Sequence, residues 1–220
     1  MGRESDRIGN QIGCLRTLDI PAALISTSGF HCEVWHAAGA VLRAGVRREL
    51  DFVIKVSRSP CTLPEVRALA REHAQLRRLL EEMIPPTVFV ATRIADQDSV
   101  LALAGAVGRW FDVGNPSNEV EAVPLFRRLH RARDQLRRFV EAALELHETE
   151  QKVIDLYGVE NLVLDRRQRL HYVDSFRVFF HEDLLHALDD PDPGLAHRIA
   201  VSRRRLEYLQ HLLRESTAAH

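Results

Sequence analysis

The chain has 220 residues, 45% of them hydrophobic and 28% charged, with a formal net charge of −1. That length suits one large domain or two small lobes and excludes a multidomain assembly. The composition excludes wholesale disorder, and the balanced charge excludes a global basic field for nucleic acid or anionic membranes.

Cys14, Cys32 and Cys61 are odd in number and far apart, with no CxxC pair. This fits a reducing compartment. The first residues are polar without an apolar signal core, and no run of eighteen apolar residues occurs. A cytoplasmic protein with no membrane partner is expected. Only two lysines occur, Lys55 and Lys152, against twenty-eight arginines. Where such a chain keeps lysine, its point charge is a candidate for function.

In chain order, LISTSGFHCEVWHA reads as two strands joined by a tight turn at Gly29, with a loop expected from Gly39 to Glu49. DFVIKV (51–56) is a strand with Phe52, Ile54 and Val56 on one face and Val53 and Lys55 on the other. The three- and four-residue spacing of Leu69, His73, Leu76, Leu80 and Met83 predicts a helix, opened near Pro64 and stopped by Pro85-Pro86. TVFVATRIA (87–95) alternates as a strand, DQDS reads as a turn, and 100–110 reads as a buried strand. Gly, Asn, Pro and Ser in FDVGNPSNE mark 111–119 as a linker. One or two helices are expected over 120–150, a hairpin over 161–174, and helices at about 180–189 and 195–215. The expected fold class is α+β, with 1–110 strand-rich, 111–119 a hinge, and 120–220 mostly helical.

Four residues stand out in that order: Lys55 in an apolar strand, Glu72 on the next helix, Asn161 opening the hairpin and Asp174 closing it. A lysine held by a glutamate can clamp nucleotide phosphates, and an Asn with an Asp can hold Mg²⁺ beside them.

These segments resemble the protein-kinase-like superfamily. FVIKV is similar to that family's VAIK strand, and REHAQLRRL to its αC helix with Glu72 as ion-pair partner. STSGFHCEVW is similar to a glycine-rich loop reduced to Gly29. VIDLYGVENLVLD resembles the catalytic loop, and LHYVDSF the strand leading to DFG. Within the superfamily the chain is most similar to the small bacterial YrbL (PhoP regulatory network) group. The resemblance implies a bilobal fold with a reduced C-lobe, ATP and Mg²⁺ as cofactors, and phosphoryl transfer to a small molecule or atypical acceptor. It implies Lys55, Glu72 and Gly29 at the nucleotide, Asn161 and Asp174 at the metal, and Asp155 as the catalytic carboxylate.

The departures point to an alternative. The family's catalytic Asp falls five residues before the Asn, where this chain has Leu156; Asp155 is one residue early, with Gly158-Val159 a place for an extra loop residue. The glycine loop lacks its usual glycines, and no APE-like segment follows Asp174. A pseudokinase acting as a regulatory protein-binding module is the competing reading.

Each residue also has a plainer explanation. Lys55 can snorkel from an edge strand, and Glu72 can be a solvated helix charge. Asn161, Asp174 and Asp155 can be turn or cap residues. Lys152 reads as a surface residue. The arginine-rich helices, from Arg127 to Arg138 and Arg203 to Arg205, have acidic neighbours and no stacking aromatics, so they read as solvated faces rather than a nucleic-acid surface. His147-Glu148 lacks the second histidine of a zinc motif. Phe176, Phe179 and Phe180 are expected to pack the hairpin onto the helices.

Overall fold

A computed structural model describes residues 22–27, 32–43, 46–187 and 193–218. The fold is α+β, with antiparallel sheets and helices, and it divides into two compact units. One unit is built from the described residues up to Arg71 together with Pro86–Ala106. The other is built from Glu72–Pro85 and the described residues from Val107 onward. No helix among the described residues is long and apolar enough to cross a membrane.

The first unit is a five-stranded sheet in the order β1-β2-β3-β5-β4. Its strands are β1 (Ala22–Ser26), β2 (Cys32–Arg43), β3 (Val46–Ser57), β4 (Thr87–Ile94) and β5 (Gln97–Gly105). Ala22, Ala37 and Ile54 form a small buried cluster, with Trp35, Phe52, Val56 and Leu103 packed on it. The period-two face expected for 51–56 is therefore the core face. Gly29 lies outside the described residues.

Two corrections concern this sheet. The stretch expected to be a loop, 39–49, is mostly strand: β2 and β3 pair without a break from Cys32↔Ser57 to Arg43↔Val46. Ala38, Gly39, Ala40, Val46, Arg47 and Glu49 are exposed there, so burial imposes no hydrophobic alternation on those residues. The turn expected over DQDS sits earlier, at Ala95-Asp96, with Ile94 facing Gln97. Both central residues have positive φ (49° and 62°), the geometry that matches the twist of a two-residue hairpin. The following strand ends at Gly105 rather than continuing to 110.

Helix α1 (Leu63–Leu80) follows β3. A carboxylate oxygen of Glu65 accepts from the Thr62 backbone N–H at 2.7 Å and from its hydroxyl at 2.6 Å, closing the helix start. At its other end Arg138 donates to the Leu79 carbonyl at 3.0 Å and pairs with Glu81 at 3.1 Å, satisfying an orphan acceptor of the last turn.

In the second unit, β6 (Arg109–Asp112), β8 (Leu162–Asp165) and β9 (Leu170–Tyr172) form one sheet. β7 (Lys152–Ile154) pairs with β10 (Phe179–His181) in another. The helices are α2 (Glu119–Arg128), α3 (His130–Glu150), α4 (Leu184–Ala187) and α5 (Pro193–Thr217). Residues 111–119 do not form a loose linker. Phe111 and Asp112 close β6, Val113 and Gly114 donate to the Leu162 carbonyl, and Asn115 caps a 3-10 turn at Pro116–Asn118. The helix expected near 180 is instead β10 followed by the single turn α4.

The core of this unit joins Leu76, Leu80 and Met83 to Phe126, Leu136, Phe139, Leu162, Leu164, Tyr172, Leu209 and Leu212. Phe176, Phe179 and Phe180 are buried, as their expected packing role requires. The β8–β9 turn is tied by Asp165. Its Oδ1 accepts from the N–H groups of Arg167 (2.8 Å) and Arg169 (2.9 Å), and its Oδ2 from Arg169 Nε (3.0 Å), with His171 at 3.1 Å.

Candidate active site

Loop 155–161 leaves β7, enters β8, and holds two of the expected site residues. Its first three residues have every backbone polar group paired. The Asp155 N–H donates to the Val178 carbonyl at 2.9 Å. The Asp155 carbonyl accepts from the Tyr172 hydroxyl at 2.9 Å and from Asn161 Nδ2 at 3.0 Å. The Leu156 N–H donates to Ser202 Oγ at 3.1 Å, and the Tyr157 N–H to Asp155 Oδ1 at 2.7 Å. Arg205 of α5 donates to the carbonyls of both Leu156 and Tyr157. Pairing at every donor and acceptor of these three residues, with Asp155 and Leu156 buried, holds the start of the loop in one place.

Asp174 follows β9. Its Oδ1 accepts from the N–H groups of Ser175 (2.7 Å) and Phe176 (3.3 Å), and its Oδ2 lies 3.5 Å from Asn161 Nδ2. Asn161 therefore spans the main chain of Asp155 and the carboxylate of Asp174. Three of the expected residues, Asp155, Asn161 and Asp174, meet here although nineteen positions separate the first from the last. Gly158 is required by the same arrangement. A Cβ there would fall 2.5 Å from Asn161 Oδ1.

Asp155 is buried, and its carboxyl is pushed up to about 7. Burial is the largest cause and the Asp174 carboxylate the second. The N–H of Tyr157 and the charges of Arg198 and Arg205 pull the other way and are outweighed.

Asn161 turns Nδ2 toward both the Asp155 carbonyl and the Asp174 carboxylate, and its Oδ1, the only atom of the amide that could bind a cation, lies on the side of Gly158. Among the described residues no group of three or more His, Cys, Asp or Glu side chains is arranged to hold a metal. One carboxylate and one amide oxygen suit Mg²⁺ completed by phosphate oxygens and water, not a site made of protein ligands alone.

Lys55 belongs to the first unit and Glu72 to the second. Lys55 sits on β3 opposite Val34 and Ala102 and is 8% exposed, so it does not snorkel into water from an edge strand. Glu72 is paired with His181 of β10 at 2.7 Å and is not a solvated helix charge. Lys152 is not a surface residue either. Its Nζ reaches Gln75 (2.8 Å) and Glu150 (2.6 Å) and lies 5.3 Å from the centre of the Phe179 ring.

Sequence reasoning missed Tyr172, Ser202 and Arg205. Tyr172 had a weak signal, two residues before Asp174 in the expected strand. Ser202 and Arg205 sit in an arginine-rich helix where periodicity gives no hint of contact with a loop almost fifty residues earlier. No protein-family model matches the chain, and a search of curated proteins finds no match.

Proposed function

We propose that the protein is an ATP- and Mg²⁺-dependent phosphotransferase of protein-kinase-like bilobal fold, similar to the YrbL group, acting on a small molecule or atypical acceptor. The observation that carries this reading is the bridge made by Asn161 between the main chain of Asp155 and the carboxylate of Asp174. Phosphoryl transfer asks mainly for positioned charge: a cation at the phosphates and a carboxylate at the attacking hydroxyl. Asn161 and Asp174 are the metal donors. Asp155 orients the acceptor hydroxyl and takes its proton, as the new oxygen–phosphorus bond forms and the bond to the leaving ADP breaks. A carboxyl titrating near 7 is matched to that role at neutral pH. Lys55 on the third strand of its sheet, with α1 following, is the arrangement the reading needs at the nucleotide phosphates.

The test is thermal stability with and without ATP and Mg²⁺, for the wild type and for Lys55→Ala and Asp174→Ala. Ligand at ~100 times its dissociation constant adds roughly 2.7 kcal/mol, or roughly 5–10 °C for a chain of this size. A Mg²⁺-dependent shift lost in both variants supports the reading. No shift, with both variants folded, overturns it.

A second reading, a pseudokinase acting as a regulatory module, draws on two observations. Leu156, at the family's catalytic position, is fully buried, and Glu72 is already engaged by His181. The absence of a shift leaves this reading standing and overturns the first; a pseudokinase that binds nucleotide as a structural ligand gives the shift but no turnover of ATP.

A further inference from the structure

The loop that runs from Asp155 to Asn161 is held at its start from α5, and at its end from β6 and the residues that follow it. Arg109 of β6 donates from Nη1 to Glu160 at 2.8 Å and from Nη2 to Asp112 at 3.1 Å. Glu160 directly precedes Asn161. Asp112 is placed in turn by Asn118, whose Nδ2 donates to its carbonyl at 3.0 Å. An exposed ion pair standing alone contributes little, but here one planar fork serves two carboxylates through separate nitrogens, which fixes its direction.

The main chain on the other side of Asn161 is held by the same segment. The Leu162 carbonyl accepts from two N–H groups, those of Val113 at 2.9 Å and Gly114 at 3.1 Å. The Asn161 carbonyl accepts from the Val173 N–H at 2.8 Å. Gly114 passes close to the loop: a Cβ there would fall 3.0 Å from the Val159 carbonyl oxygen, tighter than ordinary contact. Val159 stands where the loop has a place for one residue more than the kinase-like pattern, so Gly114 leaves room for the longer path. Asn161 therefore lies between a residue fixed through its side chain, Glu160, and one fixed through its carbonyl, Leu162.

We propose that Arg109 is a positioning residue for the metal site: through Glu160 it sets the direction of Asn161, while Gly114 gives the loop room to take that path. This rests on the phosphotransferase reading, in which Asn161 and Asp174 are the donors to Mg²⁺. Arg109 and Gly114 themselves touch neither the cation nor the nucleotide. They act on how much tighter the nucleotide binds when Mg²⁺ accompanies it.

The test is calorimetric titration of the full chain with ATP, once in EDTA and once in excess Mg²⁺. The ratio of the two dissociation constants is the metal's contribution. Wild type, Arg109→Gln, Glu160→Gln, the double variant, Arg109→Lys and Gly114→Ala are compared. Arg109→Gln and Glu160→Gln are each expected to lower that ratio by about fivefold, with the double variant no worse than either, because the two side chains act as one pair. Affinity for ATP in EDTA stays within about twofold of wild type. Arg109→Lys, which keeps a cation at Glu160, restores part of the ratio, and Gly114→Ala lowers it. Should Gly114→Ala fail to fold, the surface variants carry the test. A wild-type ratio in Arg109→Gln overturns the proposal. So does an equal loss of affinity with and without Mg²⁺, which marks a merely structural role. Tighter Mg²⁺-dependent binding in Arg109→Gln also overturns it, since the freed Glu160 would then be a ligand itself. If wild type binds ATP no better with Mg²⁺ than without, the phosphotransferase reading fails and this inference falls with it. If wild type shows the Mg²⁺ effect and the variants keep it, this inference alone falls.

Discussion

The hydroxyl of Ser202 accepts the backbone N–H of Leu156 at 3.1 Å, and Ser202 is fully buried. Replacing it with alanine removes the acceptor and gives no route to water. Ser202→Ala is expected to cost about 1–3 kcal/mol, the penalty of a stranded buried donor. That corresponds to a fall in melting temperature of roughly 2–12 °C by calorimetry. Unchanged stability would mean the Leu156 N–H finds another partner and the loop is not held from α5.

Asp155 gives stability a pH dependence whose sign is fixed by its raised pKa. Between about 4, its unfolded value, and about 7, the folded protein holds a proton that the unfolded chain has lost. The stabilisation is complete below the lower value and disappears as pH rises through the upper one. Asp155→Asn removes this contribution. The variant is expected to gain stability relative to wild type as pH goes from 4 to 8. Parallel melting curves for the two proteins across that range would refute the assignment.

Asp165 has the opposite sign. Its burial favours the neutral acid, but the Arg169 N–H, the Arg169 guanidinium and His171 outweigh this and hold it at about 2. Its contribution is present above about 4 and is lost as pH falls toward 2. Asp165→Asn is expected to melt lower than wild type at pH 6 by about 1–3 kcal/mol equivalent, with the gap closing by pH 2. A gap that persists at pH 2 would place the effect in packing rather than in charge.

Gly158→Ala separates fold from site. The added methyl would lie 2.5 Å from Asn161 Oδ1. Asn161 cannot turn away without losing its bond to the Asp155 carbonyl. The variant is expected to stay folded but to lose most of the Mg²⁺-dependent part of any ATP-induced melting shift. Full retention of that shift would remove Asn161 from the metal.

Helix α1 and the strand bearing Lys55 were legible because each buries one face, and burial writes its period into the sequence; the 161–174 hairpin, whose strands are buried throughout, was legible as two short apolar runs around a polar turn. The outer arms of the β2–β3 hairpin were not, since Ala38, Gly39, Ala40, Val46, Arg47 and Glu49 are exposed and carry no apolar alternation. β7 and β10 are three residues each, too short to show a period, and they pair across an interval of about twenty-five residues. Of the site, Asp155, Asn161 and Asp174 were readable as residue types in order. Their supports were not: Tyr172 and Ser202 act through single hydroxyl groups whose targets are main-chain atoms, and main-chain atoms leave no trace in a sequence. The neighbours of Glu72 and Lys152 were hidden for a related reason, because His181 and Gln75 lie far from them along the chain or carry no charge to match.

The contact between α5 and the Asp155 loop also orders events during synthesis. Leu156 emerges from the ribosome well before Ser202 and Arg205. Until α5 follows, the loop's amide and two carbonyls have only water as partner. The sheet of the first unit pairs strands that are all complete by Gly105 and can form while translation continues. The second unit closes its last contacts only when α5 is complete, so the Asp155 loop is fixed after the first sheet has formed.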